Sequence, residues 1–171
     1  MVEQRWFSGA HANVGGGYRN DLLPQRPLFW MQEKAQECGL SFRTQSVADN
    51  RDLDMLPRDS YAEFLGGFWK IIRLGSRYVR WVQADPVSKA GSMVTGGKSG
   101  AVVSINERID QSVFLRCQRF PNYRPASLLE WSQRCGYDLE NVIANPEKHP
   151  EIWSAVTSRG ILPSTLPIAN R

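Results

Sequence analysis

Within its first seventeen positions the chain sets a strand-forming run, a lone histidine and three consecutive glycines in close succession. Val2 to Phe7 favours β structure and closes on two aromatics. It runs straight into Ser8-Gly9-Ala10-His11-Ala12-Asn13-Val14-Gly15-Gly16-Gly17-Tyr18. A strand presents N–H and C=O groups along its edges until something pairs with it. A strand this early, feeding a glycine-rich loop, reads as the middle of a fold whose sheet lies elsewhere. Whatever the chain builds, it must find a neighbour for that strand.

A helical period follows. Pro27 suits a first turn, Leu28, Met31, Ala35 and Cys38 recur at three- and four-residue spacing, and Gly39 supplies the stop. The spacing predicts a helix whose apolar stripe covers a sheet. Arg43 to Arg58 is polar, with Asp and Asn clustered and Pro57 as a breaker, and reads as a loop. Tyr61 to Leu74 is aromatic-rich with a helical period, although the Gly66-Gly67 pair costs about 1 kcal/mol per glycine against alanine. Tyr78–Val82 and Ala101–Ile105 predict a hairpin with a long tip from Val87 to Gly100. Beyond it, Gln111 to Arg119 predicts a short helix. Ser127-Leu128-Leu129-Glu130 predicts a capping box opening another, which Gly136 ends. Asp138 is the expected cap of a third, and Pro150 to Arg159 makes a fourth, closed by Gly160 ahead of a frayed tail at Pro163 and Pro167.

At 171 residues the chain suits one domain, and six tryptophans in a 42% hydrophobic composition supply core material. The net charge of +4 is mild: it permits a nucleic-acid or anionic-lipid partner and argues for neither. Arg73, Arg77 and Arg80 beside Tyr78 and Trp81 could contact such a partner, but a solvated, salt-bridged face explains them as well. Three cysteines without a C-x-x-C pair speak against a disulfide framework or zinc site, and reduced thiols are expected; one disulfide with a thiol left over stays open. No apolar run approaches 18 residues and Met1 to Arg5 has no signal-like core, so a cytoplasmic protein is the default expectation.

His11 has two readings. In one, the glycines make a tight turn that needs positive φ and the histidine is a polar loop residue. In the other, the backbone passes close to a reacting centre and His11 is general base and acid for a serine supplied from elsewhere. In α/β-hydrolases the order is Ser, acid, His, with the histidine in a loop after the last strands. Strand, histidine and helix fit only the tail of that order.

Trp6 to Tyr18 closely resembles the signature of an α/β-hydrolase domain family that includes the phospholipase effectors of bacterial type VI secretion systems: aromatic-Phe-x-Gly-x-His-(Ser or Ala)-(Asp or Asn)-Val-Gly-Gly-Gly-Tyr. Leu28 to Gly39, with Trp30-Met31 and Glu33-Lys34-Ala35, is similar to the family's next helix. Arg58-Asp59-Ser60 stands where the family often has His-Asp-Ser. Ser112-Val113, Arg116, Tyr123-Arg124-Pro125 and Leu128 resemble its C-terminal signature. The resemblance spans about residues 4 to 129. It implies an α/β chain: the C-terminal portion of a hydrolase fold over residues 1–129, with last strand, histidine loop, covering helices and hairpin, then a helical extension over 130–171.

It implies further that His11 is the catalytic histidine, that Gly15, Gly16 and Gly17 wall the acyl group, and that the substrate is a phospholipid or related ester. No metal and no cofactor is required. Asn13 stands where many members have Asp. Asp59 is either an acid orienting the imidazole or a loop residue beside Pro57. Partners would be an N-terminal half carrying Ser and Asp and, for an effector exported by type VI secretion, a cognate immunity protein; nucleic acid is not favoured.

The Gly-x-Ser-x-Gly elbow is absent. Ten residues precede His11, and downstream Gly39-Leu40-Ser41 and Gly97-Lys98-Ser99 meet Arg43 and Ala101 where the second glycine should stand. The strained strand-to-helix turn needs small residues at both places. Gly96-Gly97-Lys98-Ser99 also misses a phosphate loop, because Ser92 holds the position of its first glycine. The expectation is a hydrolase segment inactive alone, with a non-enzymatic interaction module as the alternative.

Overall fold

The computed structural model describes residues 3–46, 50–59, 80–82 and 107–153. Strand β1 (Gln4–Trp6) lies parallel to β2 (Glu107–Ile109), with Gln4 opposite Glu107 and Trp6 opposite Ile109. The first strand therefore finds a neighbour far along its own chain, which corrects the expectation that pairing must come from elsewhere. Three side-chain and backbone links reinforce so short a pair. The Trp6 indole donates to Glu107 at 3.0 Å, the Asp110 N–H donates to the Trp6 carbonyl at 2.8 Å, and the Arg5 guanidinium lies 3.7 Å from the Asp110 carboxylate.

Two helices follow β1, α1 (His11–Gly15) and α2 (Gln25–Glu37), and Asp110 turns the chain into α3 (Gln111–Arg119), its carboxylate accepting from Ser112 N–H at 3.0 Å. Next come α4 (Ala126–Arg134), α5 (Leu139–Ala144), a 3₁₀ turn at Pro146–Lys148 and α6 (Pro150–Trp153). These helices enclose the main core. Phe114, Cys117, Trp131 and Val142 are fully buried, and Trp131 lies between Phe114, tilted at 6.0 Å, and Tyr137, stacked at 5.7 Å. Full burial of a side chain such as Val142 or Phe114 is worth about 1.5–3 kcal/mol. Val82 joins it, and its carbonyl accepts from Arg134 at 2.6 Å.

α3 runs over the expected span, and Asp138 caps α5 as expected, accepting from the N–H groups of Glu140 and Asn141. The capping box at Ser127 does not form. Pro125, extended at ψ 134°, starts the helix at Ala126 and leaves Ser127 inside the first turn. The division expected at residue 129 falls within α4, and side chains from both sides of it share the core. The Arg124 fork grips Glu140 at 2.6 and 2.8 Å and reaches the Cys117 carbonyl at 3.0 Å, tying the end of α3 to the start of α5.

The second helix of the fold, α2 (Gln25–Glu37), ends as expected at Gly39, whose φ of +89° suits a residue without Cβ. Its apolar stripe, however, faces outward: Leu28 is 50% and Met31 56% exposed, while Arg26, Pro27 and Gln32 turn inward. Polar anchors set that rotation. Gln32 donates to the Thr44 carbonyl and accepts from Ser46 N–H, and Lys34 reaches Glu3 at 3.1 Å. Trp30 meets Phe7 at 5.9 Å and the Arg5 guanidinium at 5.2 Å.

Part of the polar stretch expected to be loop forms a 3₁₀ turn, Asn50–Asp54, with Asp52 and Leu53 buried. The expected helix over Tyr61–Leu74, the strand at Ala101–Ile105, the tip from Val87 to Gly100, Arg73, Arg77 and the chain after Trp153 lie outside the described residues. Arg80 is described, and its guanidinium lies 6.0 Å from the Trp6 ring centre.

Candidate functional site

His11 opens α1 (His11–Gly15), a single turn that follows β1 after Phe7, Ser8, Gly9 and Ala10. The sequence placed the residue in a loop; it is the first helical residue, with an exposed side chain. The imidazole forms no hydrogen bond or ion pair among the described residues.

The turn beneath it is held firmly. Asn13 is fully buried, its Oδ1 accepts from Ala10 N–H at 3.0 Å, and its Nδ2 donates to Asp21 at 3.3 Å. Asn20, at φ +57°, swings the chain so that Asp21 comes back under the turn and also accepts from Leu23 N–H at 2.9 Å. Gly9 completes the fit. Its φ is +106°, and a Cβ there would stand 2.5 Å from the Asn13 Cβ, so neither the conformation nor the space admits a side chain.

The three glycines differ in what they do. Gly16 ends α1 in the left-handed region at φ +84°. Gly17 passes Ala12 so closely that a Cβ would come within 3.0 Å of the alanine Cβ. Gly15 has helical geometry and open space where its Cβ would project. Only Gly16 has the positive φ that the tight-turn reading expected of the run.

Asp59 is exposed and makes no hydrogen bond or ion pair with His11, so the described arrangement does not bring the two together. The adjoining Arg58 does approach the segment, its guanidinium lying 5.1 Å from the ring centre of Tyr18. Ser8, three residues before His11, is buried. The Tyr123 hydroxyl approaches Ser8 without the geometry of a full hydrogen bond. Burial pushes the Tyr123 phenol up from its ordinary value, and the contact with Ser8 opposes this. Ser41, from the near-miss of the elbow pattern, is exposed in the segment beyond Gly39. His149 is half-buried, hydrogen-bonded to Asn141 at 3.1 Å and edge-on to Tyr137 at 6.1 Å; the sequence read it as simple surface.

A second polar cluster lies inside the fold, and the sequence did not point to it. The Asp52 carboxylate, on the 3₁₀ turn, accepts from Arg26 Nε of α2 at 2.5 Å and lies 3.3 Å from Arg116 Nη2 of α3. Arg116 also donates to the carbonyls of Asp52 and Met55, each at 2.8 Å, and Arg26 donates to Asn50 at 3.0 Å. Burial pulls the Arg116 guanidinium below its ordinary value, and the Asp52 carboxylate opposes that pull. Enclosed in this way, the cluster fastens α2 to α3 and offers no reacting group to solvent.

All three cysteines are free thiols: Cys38 exposed, Cys117 buried and Cys135 half-buried. Among the described residues no three His, Cys, Asp or Glu side chains converge to hold a metal ion, and no helix is long and apolar enough to cross a membrane. No known protein family, curated protein or solved structure matches the chain. The likeness to α/β-hydrolases thus rests on the residues quoted for it.

Proposed function

We propose that this chain supplies the general base of a serine ester hydrolase acting on phospholipids or related esters, and that it is inactive until a nucleophile is brought to His11. The observation that carries this is an exposed imidazole with no hydrogen-bond or ion-pair partner among the described residues, mounted on a turn that a buried, doubly hydrogen-bonded asparagine holds in place. Gly15 adds support: packing does not require its missing side chain, and the open space beside it suits an acyl group. In the reaction an external serine hydroxyl attacks the ester carbonyl while His11 takes its proton. The same imidazole returns that proton to the departing alcohol, and water then releases the acyl group by the reverse exchange. Membership in the hydrolase family of the type VI effectors, with an N-terminal half bearing Ser and Asp and a cognate immunity protein as partners, belongs to this proposal.

The exposed apolar stripe of α2 favours a second reading, in which the chain is a non-enzymatic module that binds through that surface. Complementation separates the two. The full chain is co-expressed with the N-terminal half of a family member carrying the Gly-x-Ser-x-Gly elbow, and hydrolysis of a short p-nitrophenyl ester and of phosphatidylglycerol vesicles is followed. Activity is expected only in the mixture, and His11→Ala should lower it by several orders of magnitude, as loss of the general base does in such triads. Full activity in the His11→Ala mixture, or none in the parent mixture, refutes the catalytic reading.

A further inference from the structure

We infer that Asn13 is a positioning residue for His11, acting through the backbone of Ala10 and through Asp21; the inference rests on the catalytic role proposed above. One short side chain joins three parts of the segment. Oδ1 takes the Ala10 N–H immediately before the histidine, Nδ2 reaches Asp21 beyond the glycines, and Cβ fills the space that Gly9 leaves empty. Among the described residues no side chain holds the imidazole, so its position is set by its backbone, and that backbone is fixed by the amide of Asn13. An amide suits the place because one end must accept from an N–H and the other must donate to a carboxylate. A carboxylate at position 13 could accept from Ala10, but it would face Asp21 as a second anion unless the two shared a proton.

Two measurements test this on the full chain. Amide hydrogen exchange at Ala10 should be slow in the parent and accelerate by at least tenfold in Asn13→Ala. In Asn13→Asp it should be slow at acid pH, where the two carboxyls share a proton, and speed up relative to the parent as pH rises. In the complemented hydrolase, Asn13→Ala should lower kcat by about 10²-fold, the cost of misplacing a catalytic group by about 1 Å, with KM changed less than twofold. Asn13→Asp should show a ratio to the parent rate that recovers on acidification, whereas the Asn13→Ala ratio stays flat. That acid rescue also covers the case in which Asn13→Ala folds poorly. Unchanged Ala10 exchange in both variants overturns the clamp. Altered exchange with parent-like kcat, while His11→Ala remains inactive, overturns the positioning role and leaves the catalytic reading standing. Activity that survives His11→Ala, or no activity in the complemented parent, removes the catalytic reading and the inference with it.

Discussion

Removing the Asp52 carboxylate should be among the most damaging single changes available in the described fold. Asp52 is fully buried, and it neutralises two guanidinium groups whose side chains are 8% and 1% exposed. Arg116 keeps two backbone carbonyls whatever happens to the carboxylate, but Arg26 would keep only Asn50. Asp52→Ala therefore leaves buried positive charge without an anion. Breaking a buried pair in this way costs about 3–5 kcal/mol, against about 5–15 kcal/mol for the whole stability of a typical domain. For a chain of this size each kcal/mol moves Tm by about 2–4 °C, so the midpoint should fall by about 6–20 °C. Glu140→Gln is the control. It removes a carboxylate that Arg124 grips with two contacts, 2.6 and 2.8 Å, yet whose side chain is 66% exposed, so its loss should stay below about 1 kcal/mol. Urea unfolding followed by circular dichroism measures both. If Asp52→Ala costs no more than Glu140→Gln, burial does not amplify the charge interaction and the account of how α2 is fastened to α3 is wrong.

Two further outcomes follow from burial. Leu28→Ala and Met31→Ala should each change stability by about 0.5 kcal/mol or less, because the stripe is exposed, whereas Phe114→Ala should cost about 3–5 kcal/mol; losses of several kcal/mol at Leu28 and Met31 would mean that α2 turns the other way. Burial also pushes the Cys117 thiol from 9.0 up to about 11 and raises the Tyr123 phenol. The unfolded chain then releases the Cys117 proton before the folded one, so the thiol's contribution is complete below about pH 9 and is lost as pH rises through about 11, and the raised Tyr123 phenol acts in the same direction. Chemical denaturation between pH 8 and 11 should show stability falling, less steeply in Cys117→Ala, and iodoacetamide at pH 8 should label the exposed Cys38 well before Cys117. A flat profile would refute the thiol assignment.

The sequence was most legible where one residue acts on its own neighbourhood. Gly39 stops α2, Asp138 caps α5, and α3 runs from Gln111 to Arg119, each fixed by contacts a few positions away. Legibility failed wherever the partner was distant. Glu107–Ile109 is three residues long with two charges, and nothing in its own pattern announces a strand; pairing with β1 makes it one. The α2 stripe has a clear helical period, but period gives only the angle between residues, not which side faces the fold. Arg26 and Gln32 decide that, by bonding to segments about 12 to 26 positions away. Asp52 was hidden for the same reason, since a polar stretch rich in Asp and Asn looks solvated until Arg26 and Arg116 are brought to it.

At the histidine the useful distinction lies among the glycines rather than between glycine and everything else. A run of three invites a single explanation, yet Gly16 is needed for its backbone angle and Gly17 for its approach to Ala12, and both reasons would hold in a chain with no activity. Gly15 is helical and unobstructed, so neither a positive φ nor a close approach requires glycine there. What remains is the space in front of it, at the far end of the turn that begins with His11. In the proposed reaction the substrate's acyl group would lie on this open side of Gly15, one turn from the exposed His11. That makes Gly15, more than the run of three, the glycine on which the functional reading leans.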